Sequence, residues 1–216
     1  MLRRHLLTLP FTAAVSQLLA QNDPCRPCPN RVPADAWKEL DDGNLRFTGW
    51  KPANRQDQCR LGCTAEPPAG PGQKPFAVVL TCSDSRIVPE IAFDQRIGDL
   101  FVVRVAGNVA TEEAVGSIEY VIENMKTPKV VVVLGHDDCG AVGAALKGEP
   151  AADLVPSILN RIYPAIRDLG PKDLDKAIRA NTKLAANTLA KYSTAIRRVP
   201  VIGAHYSLKT GRITKV

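Results

Sequence analysis

The sequence predicts an α/β protein: a mainly parallel central β-sheet flanked by helices, with an N-terminal helical arm. Four β-branched runs, "FAVVLT" (76–81), "DLFVVRV" (99–105), "KVVVVLG" (129–135) and "VPVIGAHYSL" (199–208), are apolar without polar alternation. Strands of that kind are buried on both faces, which is the habit of a parallel sheet covered by helices. Between the second and third runs, Ala114, Ile118, Val121, Ile122 and Met125 recur at helical spacing in "TEEAVGSIEYVIENM". The 216 residues, 45% hydrophobic and 5% aromatic, suit one globular domain rather than two, with enough chain for a full core.

The first twenty residues stand apart. Arg3, Arg4 and His5 precede "LLTLPFTAAVSQLLA", a basic start followed by an apolar stretch that holds Pro10 and ends near Ala20. Residues 1–20 therefore read as a signal peptide, with Arg3-Arg4 also compatible with a twin-arginine signal. The competing reading is an amphipathic helix packed on a cytoplasmic protein. Export to the periplasm or medium is the expectation, and no other segment is long enough to span a membrane.

Residues 21–33 read as a Cys- and Pro-rich linker, and residues 34–216 as a single domain. In "ADAWKELDDGNLRF", Ala36, Trp37, Leu40 and Leu45 suggest an amphipathic helix outside the main sheet, interrupted near Gly43. The stretch "TAEPPAGPGQKP" (64–75) is too rich in Pro and Gly for regular structure and reads as a loop into the first strand. Residues 151–198 are expected to supply two or three further helices, with "DLDKAIRANTKLAANTLAKYS" the clearest.

A formal net charge of +6 invites a nucleic-acid reading, but the basic residues are scattered and no DNA- or RNA-binding motif is present. The informative residues lie where strands end. Cys82 and Asp84 follow the first run; His136 and Cys139 follow the third, in "GHDDCGA". In a parallel sheet both sets lie at carboxyl ends, where ligand sites form if the connections leave in opposite directions. Two thiolates, one imidazole and one carboxylate suit zinc. Each pair alone is weak, since buried cysteines are common and an aspartate often only turns a strand end.

The stretches "CSDSRIVPE", "FDQRIGDLFVVRVAGN", "GSIEYVIENMKTPKVVVVLGHDDCGAV" and, more loosely, "AWKELDDGNLRF" resemble the β-class carbonic anhydrases across most of residues 34–148. That resemblance implies one Zn²⁺ per chain on Cys82, His136 and Cys139, and a catalytic Asp84–Arg86 dyad beside it. It implies that zinc-bound hydroxide attacks CO₂ to give bicarbonate and a proton. Asp84 is a possible fourth ligand in a closed state; Arg86, a permanently charged fork, competes for its carboxylate. The same resemblance makes Gln73, Phe101 and Tyr120 candidate substrate-binding residues, with Gln73 acting across a subunit interface in a homodimer or higher homo-oligomer. Val79 stands where allosteric members carry a Trp, which implies the open subtype. Gly107 and Asn108 are expected to shape the turn after the second strand, Asp137 and Asp138 to form a solvated acidic loop, and His205 to be a structural histidine.

Cys25, Cys28, Cys59 and Cys63 are not explained by these signatures. They suit two disulfides in an oxidising compartment, a second zinc site, or a redox pair, and export favours disulfides. Two further functions stay open at this point: hydrolysis of carbonyl sulfide or carbon disulfide at the same site, and a non-catalytic zinc or redox module. Retention of Asp84 with Arg86 argues against the last, since a structural zinc site has no use for the dyad.

Overall fold

The computed structural model describes residues 32–53, 73–148, 153 and 155–216. The proposed signal peptide, most of the linker, Cys25, Cys28, Cys59 and Cys63 lie outside the described residues. Within them the order is α1 (Ala36–Thr48), β1 (Ala77–Thr81), α2 (Pro89–Ala92), β2 (Leu100–Arg104), α3 (Glu112–Tyr120), β3 (Val130–His136), α4 (Gly140–Lys147), α5 (Val155–Ile166), α6 (Leu174–Tyr192), β4 (Val201–Tyr206) and β5 (Ile213–Lys215).

The sheet runs β2-β1-β3-β4-β5, parallel except for β5, which pairs antiparallel with β4. Every residue of β1 and β3 is buried, as their unalternating apolar runs require. Their side chains divide by parity. Ala77, Val79, Val130, Val132 and Leu134 join Leu40 of α1 and Phe93 in one core cluster, while Val78, Leu80, Val131 and Val133 meet Ala114 and Ile118 of α3 and Leu189 of α6 in the other. Each fully buried aliphatic side chain is worth about 1.5–3 kcal/mol, so the centre of the sheet is the most strongly held part of the fold.

From β1 the chain passes to β2 on one side, and from β3 to β4 on the other. The adjacent carboxyl ends of β1 and β3 therefore flank a topological switch point. The four expected strands and the helix after residue 111 form as predicted. Thr111 caps α3 by accepting a hydrogen bond from the Ala114 N–H at 3.2 Å. The chain then widens into a π turn at Val121–Met125 and ends on Lys126 at φ 58°. The short elements α4 and β5 had no periodic signal long enough to announce them.

One expectation fails: α1 is not interrupted at Gly43. The helix runs unbroken through it, and an alanine Cβ there would stand 1.8 Å from the Phe93 carbonyl oxygen, so glycine marks a close approach and not a break. The neighbouring Asn44 is fully buried and uses all its hydrogen-bonding capacity. Its Nδ2 donates to the Ala92 and Gly211 carbonyls at 2.9 and 2.8 Å, and its Oδ1 accepts from Arg212 Nη1 and the Ile213 N–H at 2.9 and 2.8 Å. The arm is thus part of the core. Gly43→Ala is expected to lower stability by about 1–3 kcal/mol, the usual cost of overpacking, measured by chemical denaturation; an unchanged midpoint would contradict the close approach.

Candidate metal centre

The site is assembled from three places in the chain. Cys82 leaves the end of β1, His136 is the last residue of β3, and Cys139 is the N-cap of α4. Their ligand atoms all lie within 4.8 Å of one another, and all three residues are buried. His136 Nδ1 lies 2.7 Å from the Asp137 carbonyl oxygen, which accepts a hydrogen bond from Nδ1–H, so in the neutral ring Nε2 carries the lone pair. That Nε2 is buried and, among the described residues, has no hydrogen-bond partner. A buried, lone-pair-bearing nitrogen facing two sulfurs is costly as it stands and is what a tetrahedral zinc ion requires.

The electrostatics favour anionic sulfur. The hydrogen bond with Cys139 and, against the opposing effect of burial, contacts from His136 and the main-chain N–H groups of Asp84 and Gly107 hold the Cys82 thiol far below its usual range. Gly107 N donates to Cys82 Sγ at 3.3 Å. Cys139 is pushed up by the same contact with Cys82 and by burial, while the N–H groups of Val142 and Ala141, at the start of α4, work the other way. Two adjacent buried thiols share one negative charge readily and a second only with a cation between them.

Beside the sulfurs, Arg86 grips Asp84 with two side-chain bonds: Nε to Oδ1 at 3.0 Å and Nη2 to Oδ2 at 2.7 Å. The Arg86 N–H adds a third, to Oδ1 at 2.9 Å. This fork holds the Asp84 carboxyl well below the usual carboxylate range. The three-residue ligand cluster does not include Asp84.

Gly107 does more than shape a turn. At φ 66° it brings its N–H to the Cys82 sulfur, and its carbonyl accepts from Asn181 Nδ2 at 2.8 Å. Asp137 is not a solvated loop residue either. Besides accepting from His136 through its carbonyl, it takes bonds from Ser207 Oγ and the Leu208 N–H on Oδ2, both at 2.9 Å, and its Oδ1 lies 3.0 Å from His205 Nε2. Asp138 is the exposed member of the pair. His205 is buried, and its pKa is lowered by that burial and by the Arg179 guanidinium. A second acidic group, Asp137, Asp175 and His205, already has its counter-charge in Arg179, which binds Asp175 at 2.9 Å.

Phe101 is half-buried on β2 against the core cluster of Val78 and Leu80, whereas Cys82 belongs to the other cluster. Gln73 is exposed, and Tyr120 is 58% exposed at the end of α3. The fold thus unites the ligands and the dyad, and sets Gln73 and Tyr120 on the protomer surface.

A carbonic anhydrase family model matches residues 77–213, which contain every residue of the cluster and the dyad. The chain belongs to the β-carbonic anhydrase family. It is 38% identical to a carbonic anhydrase of Mycolicibacterium smegmatis over 198 residues, covering 86% of this chain and 94% of that protein. It is also 38% identical to carbonic anhydrase 2 of Mycobacterium tuberculosis over 200 residues, covering 85% and 93%. Among solved structures, a Coccomyxa β-carbonic anhydrase in complex with acetazolamide superposes with a TM-score of 0.62 at 22% identity, over 95% of this chain and 87% of that one. A tetrameric β-carbonic anhydrase from Sordaria macrospora gives a TM-score of 0.62 at 21% identity, over 67% and 82%. The parallel sheet with flanking helices is the fold of these neighbours, and the enzymatic class of this β-carbonic anhydrase is that of its relatives.

If Cys82, His136 and Cys139 are the whole donor set, replacing any of them with alanine abolishes stoichiometric zinc, measured by elemental analysis of folded protein. One zinc per chain in folded Cys139→Ala would remove that residue from the set.

Proposed function

We propose that this chain catalyses the reversible hydration of CO₂ to bicarbonate and a proton, with one zinc ion per chain held by Cys82, His136 and Cys139. The observation that carries the proposal is the buried His136 Nε2, without a hydrogen-bond partner among the described residues, gathered with two sulfurs beside a carboxylate already claimed by an arginine. Zinc in such a site supplies Lewis acidity that draws the pKa of a water toward neutrality, and so a nucleophile for CO₂.

The protein's own groups supply the rest. Asp84, kept ionised by Arg86, is acceptor-only; it would receive a hydrogen bond from a nucleophile at the metal and so orient that nucleophile's lone pair toward CO₂. Arg86 binds both carboxylate oxygens, so Asp84 would be held by the guanidinium and not by a metal on Cys82, His136 and Cys139. Gln73 and Tyr120, exposed on the protomer, and the half-buried Phe101 are assigned to substrate binding, the first across the interface of a homodimer or larger homo-oligomer. Among the described residues no helix is long and apolar enough to cross a membrane.

The test is stopped-flow CO₂ hydration on zinc-loaded protein. Arg86→Ala should keep its zinc and lose about 100-fold in kcat/KM, the low end for a displaced acid–base group. Asp84→Asn should lose at least as much. Wild-type turnover in Arg86→Ala would reduce the pair to a structural contact, and sulfide release from carbonyl sulfide at a higher kcat/KM than CO₂ hydration would change the substrate.

The pH dependence follows from two signs. Two thiolates donate more charge to zinc than imidazoles do, so kcat/KM should rise with pH through an inflection above the value of about 7 typical of three-histidine sites. Asp84, its pKa held well below the usual carboxylate range by Arg86, is already ionised throughout the weakly acid range and contributes no inflection there; removing Arg86 moves its pKa back toward the ordinary value of about 3.9. An inflection well on the acid side of neutrality would contradict both arguments.

We further propose export, supported by the basic and apolar leader and by two cysteine pairs outside the metal site. Protein from an oxidising compartment should show two free thiols after chelation and denaturation, Cys82 and Cys139, with Cys25, Cys28, Cys59 and Cys63 in disulfides. Mass spectrometry finding six free thiols would remove this part of the proposal.

A further inference from the structure

The β1–β2 ladder ends where Thr81 stands opposite Arg104, and its last main-chain bond runs from the Val105 N–H to the Thr81 carbonyl at 3.0 Å. Beyond it the strands part. β2 turns away through Ala106–Asn108, while the chain from Cys82 to Arg86 continues without regular structure. The Arg104 side chain bridges the gap: Nε donates to the Cys82 carbonyl at 3.2 Å and Nη2 to the Asp84 carbonyl at 2.5 Å. One guanidinium therefore extends the ladder by two carbonyls, and those belong to a zinc ligand and to the dyad carboxylate.

Two arginines divide the oxygens of Asp84 between them. Arg86 takes the carboxylate, setting how it is turned; Arg104 takes the main chain, setting where it sits. An ammonium cannot replace Arg104 here, because only a planar fork offers two donors at fixed separation. We propose that Arg104 is a positioning residue for the metal centre: by holding the Cys82 and Asp84 carbonyls at once, it fixes the Asp84 carboxylate relative to the Cys82 sulfur. This inference rests on the reading of the site as a zinc-dependent CO₂ hydratase.

Arg104 is exposed on the protomer. Exposed charged contacts add little to global stability, so losing this one should register at the site rather than in the fold. The experiment compares the zinc-loaded full chain with Arg104→Met, which keeps the length of the side chain and removes the donors, and with Arg104→Lys. Three quantities are measured: zinc content, the rate of zinc transfer to a chromogenic chelator, and kcat and KM for CO₂.

Arg104→Met should keep one zinc per chain, release it about 10-fold faster and lose about 10-fold in kcat with little change in KM, the range typical of groups that orient metal ligands. Arg104→Lys, with one bond in place of two, should recover part of both losses. A lower melting temperature with unchanged release rate and kcat would overturn the proposal, as would full recovery by lysine. Should Arg104→Met not fold, the release rate of Arg104→Lys decides alone, wild-type release overturning the inference. If the wild-type protein fails to hydrate CO₂, the functional reading falls, while zinc release still tests the clamp independently.

Discussion

Everything at the metal centre depends on the parallel pairing of β1 with β3. Five consecutive pairs, from Ala77 with Val130 to Thr81 with Leu134, are buried throughout, and Thr81 Oγ1 adds a bond to the Leu134 carbonyl at 3.0 Å. A slip by one residue would exchange the side chains of the two core clusters along the whole strand and break the Thr81–Leu134 bond, so close packing on both faces and that bond hold the register. Because the register is fixed, Cys82 and His136 leave the sheet side by side. The connections then diverge, and the space between them is available for chemistry instead of a crossing chain.

The electrostatic consequence is a site that concentrates negative charge and then rations it. Two thiols and a carboxylate lie near one another with the N–H groups of Gly107 and of the first turn of α4 aimed at the sulfurs. The contact between the sulfurs lowers the pKa of Cys82 and raises that of Cys139, so a second negative charge there is opposed; a cation held by both would need both as thiolates. Asp84 is the group that would compete for the same cation, and in this structure Arg86 holds both of its carboxylate oxygens without neutralising it. On the proposed reading, the dyad would separate two uses of a carboxylate, coordination and hydrogen-bond acceptance, by giving it a partner other than the metal.

How much of this was legible in the sequence depended on the range of the interaction involved. The strands and α3 could be read from apolar runs and helical spacing, and the Cys82, His136 and Cys139 cluster and the Asp84–Arg86 pair from short motifs at strand ends, because those signals are local. Gly43 was misread because glycine in a helix has two meanings, a break or a close approach, and only the position of the Phe93 carbonyl separates them. Asp137 was misread because two adjacent acids after a strand suggest solvent; its partners, Ser207 and Leu208, lie some seventy positions away and carry no pattern. Arg104 was invisible for the same reason, as the last polar residue of an apolar strand whose side chain serves a different loop.

The segment from Cys82 to Gln95 shows why such supports escape pattern reading yet hold the site. It contains only the four-residue helix α2, too short to be stable alone. It is pinned at separated points by side chains from elsewhere: Arg104 on the carbonyls of Cys82 and Asp84, Asn44 on the carbonyl of Ala92, and Arg46 on the carboxylate of Asp94 at 2.6 Å. Two of these three anchors come from α1, which places the N-terminal arm in mechanical contact with the active-site loop. Asn44 also binds the Gly211 carbonyl and the Ile213 N–H, so β5 is tied to the same point. An irregular loop can be as well fixed as a strand when its main-chain groups are met by buried or forked donors. The helix that loosely resembles the family's arm is therefore one of the walls against which the dyad loop is set.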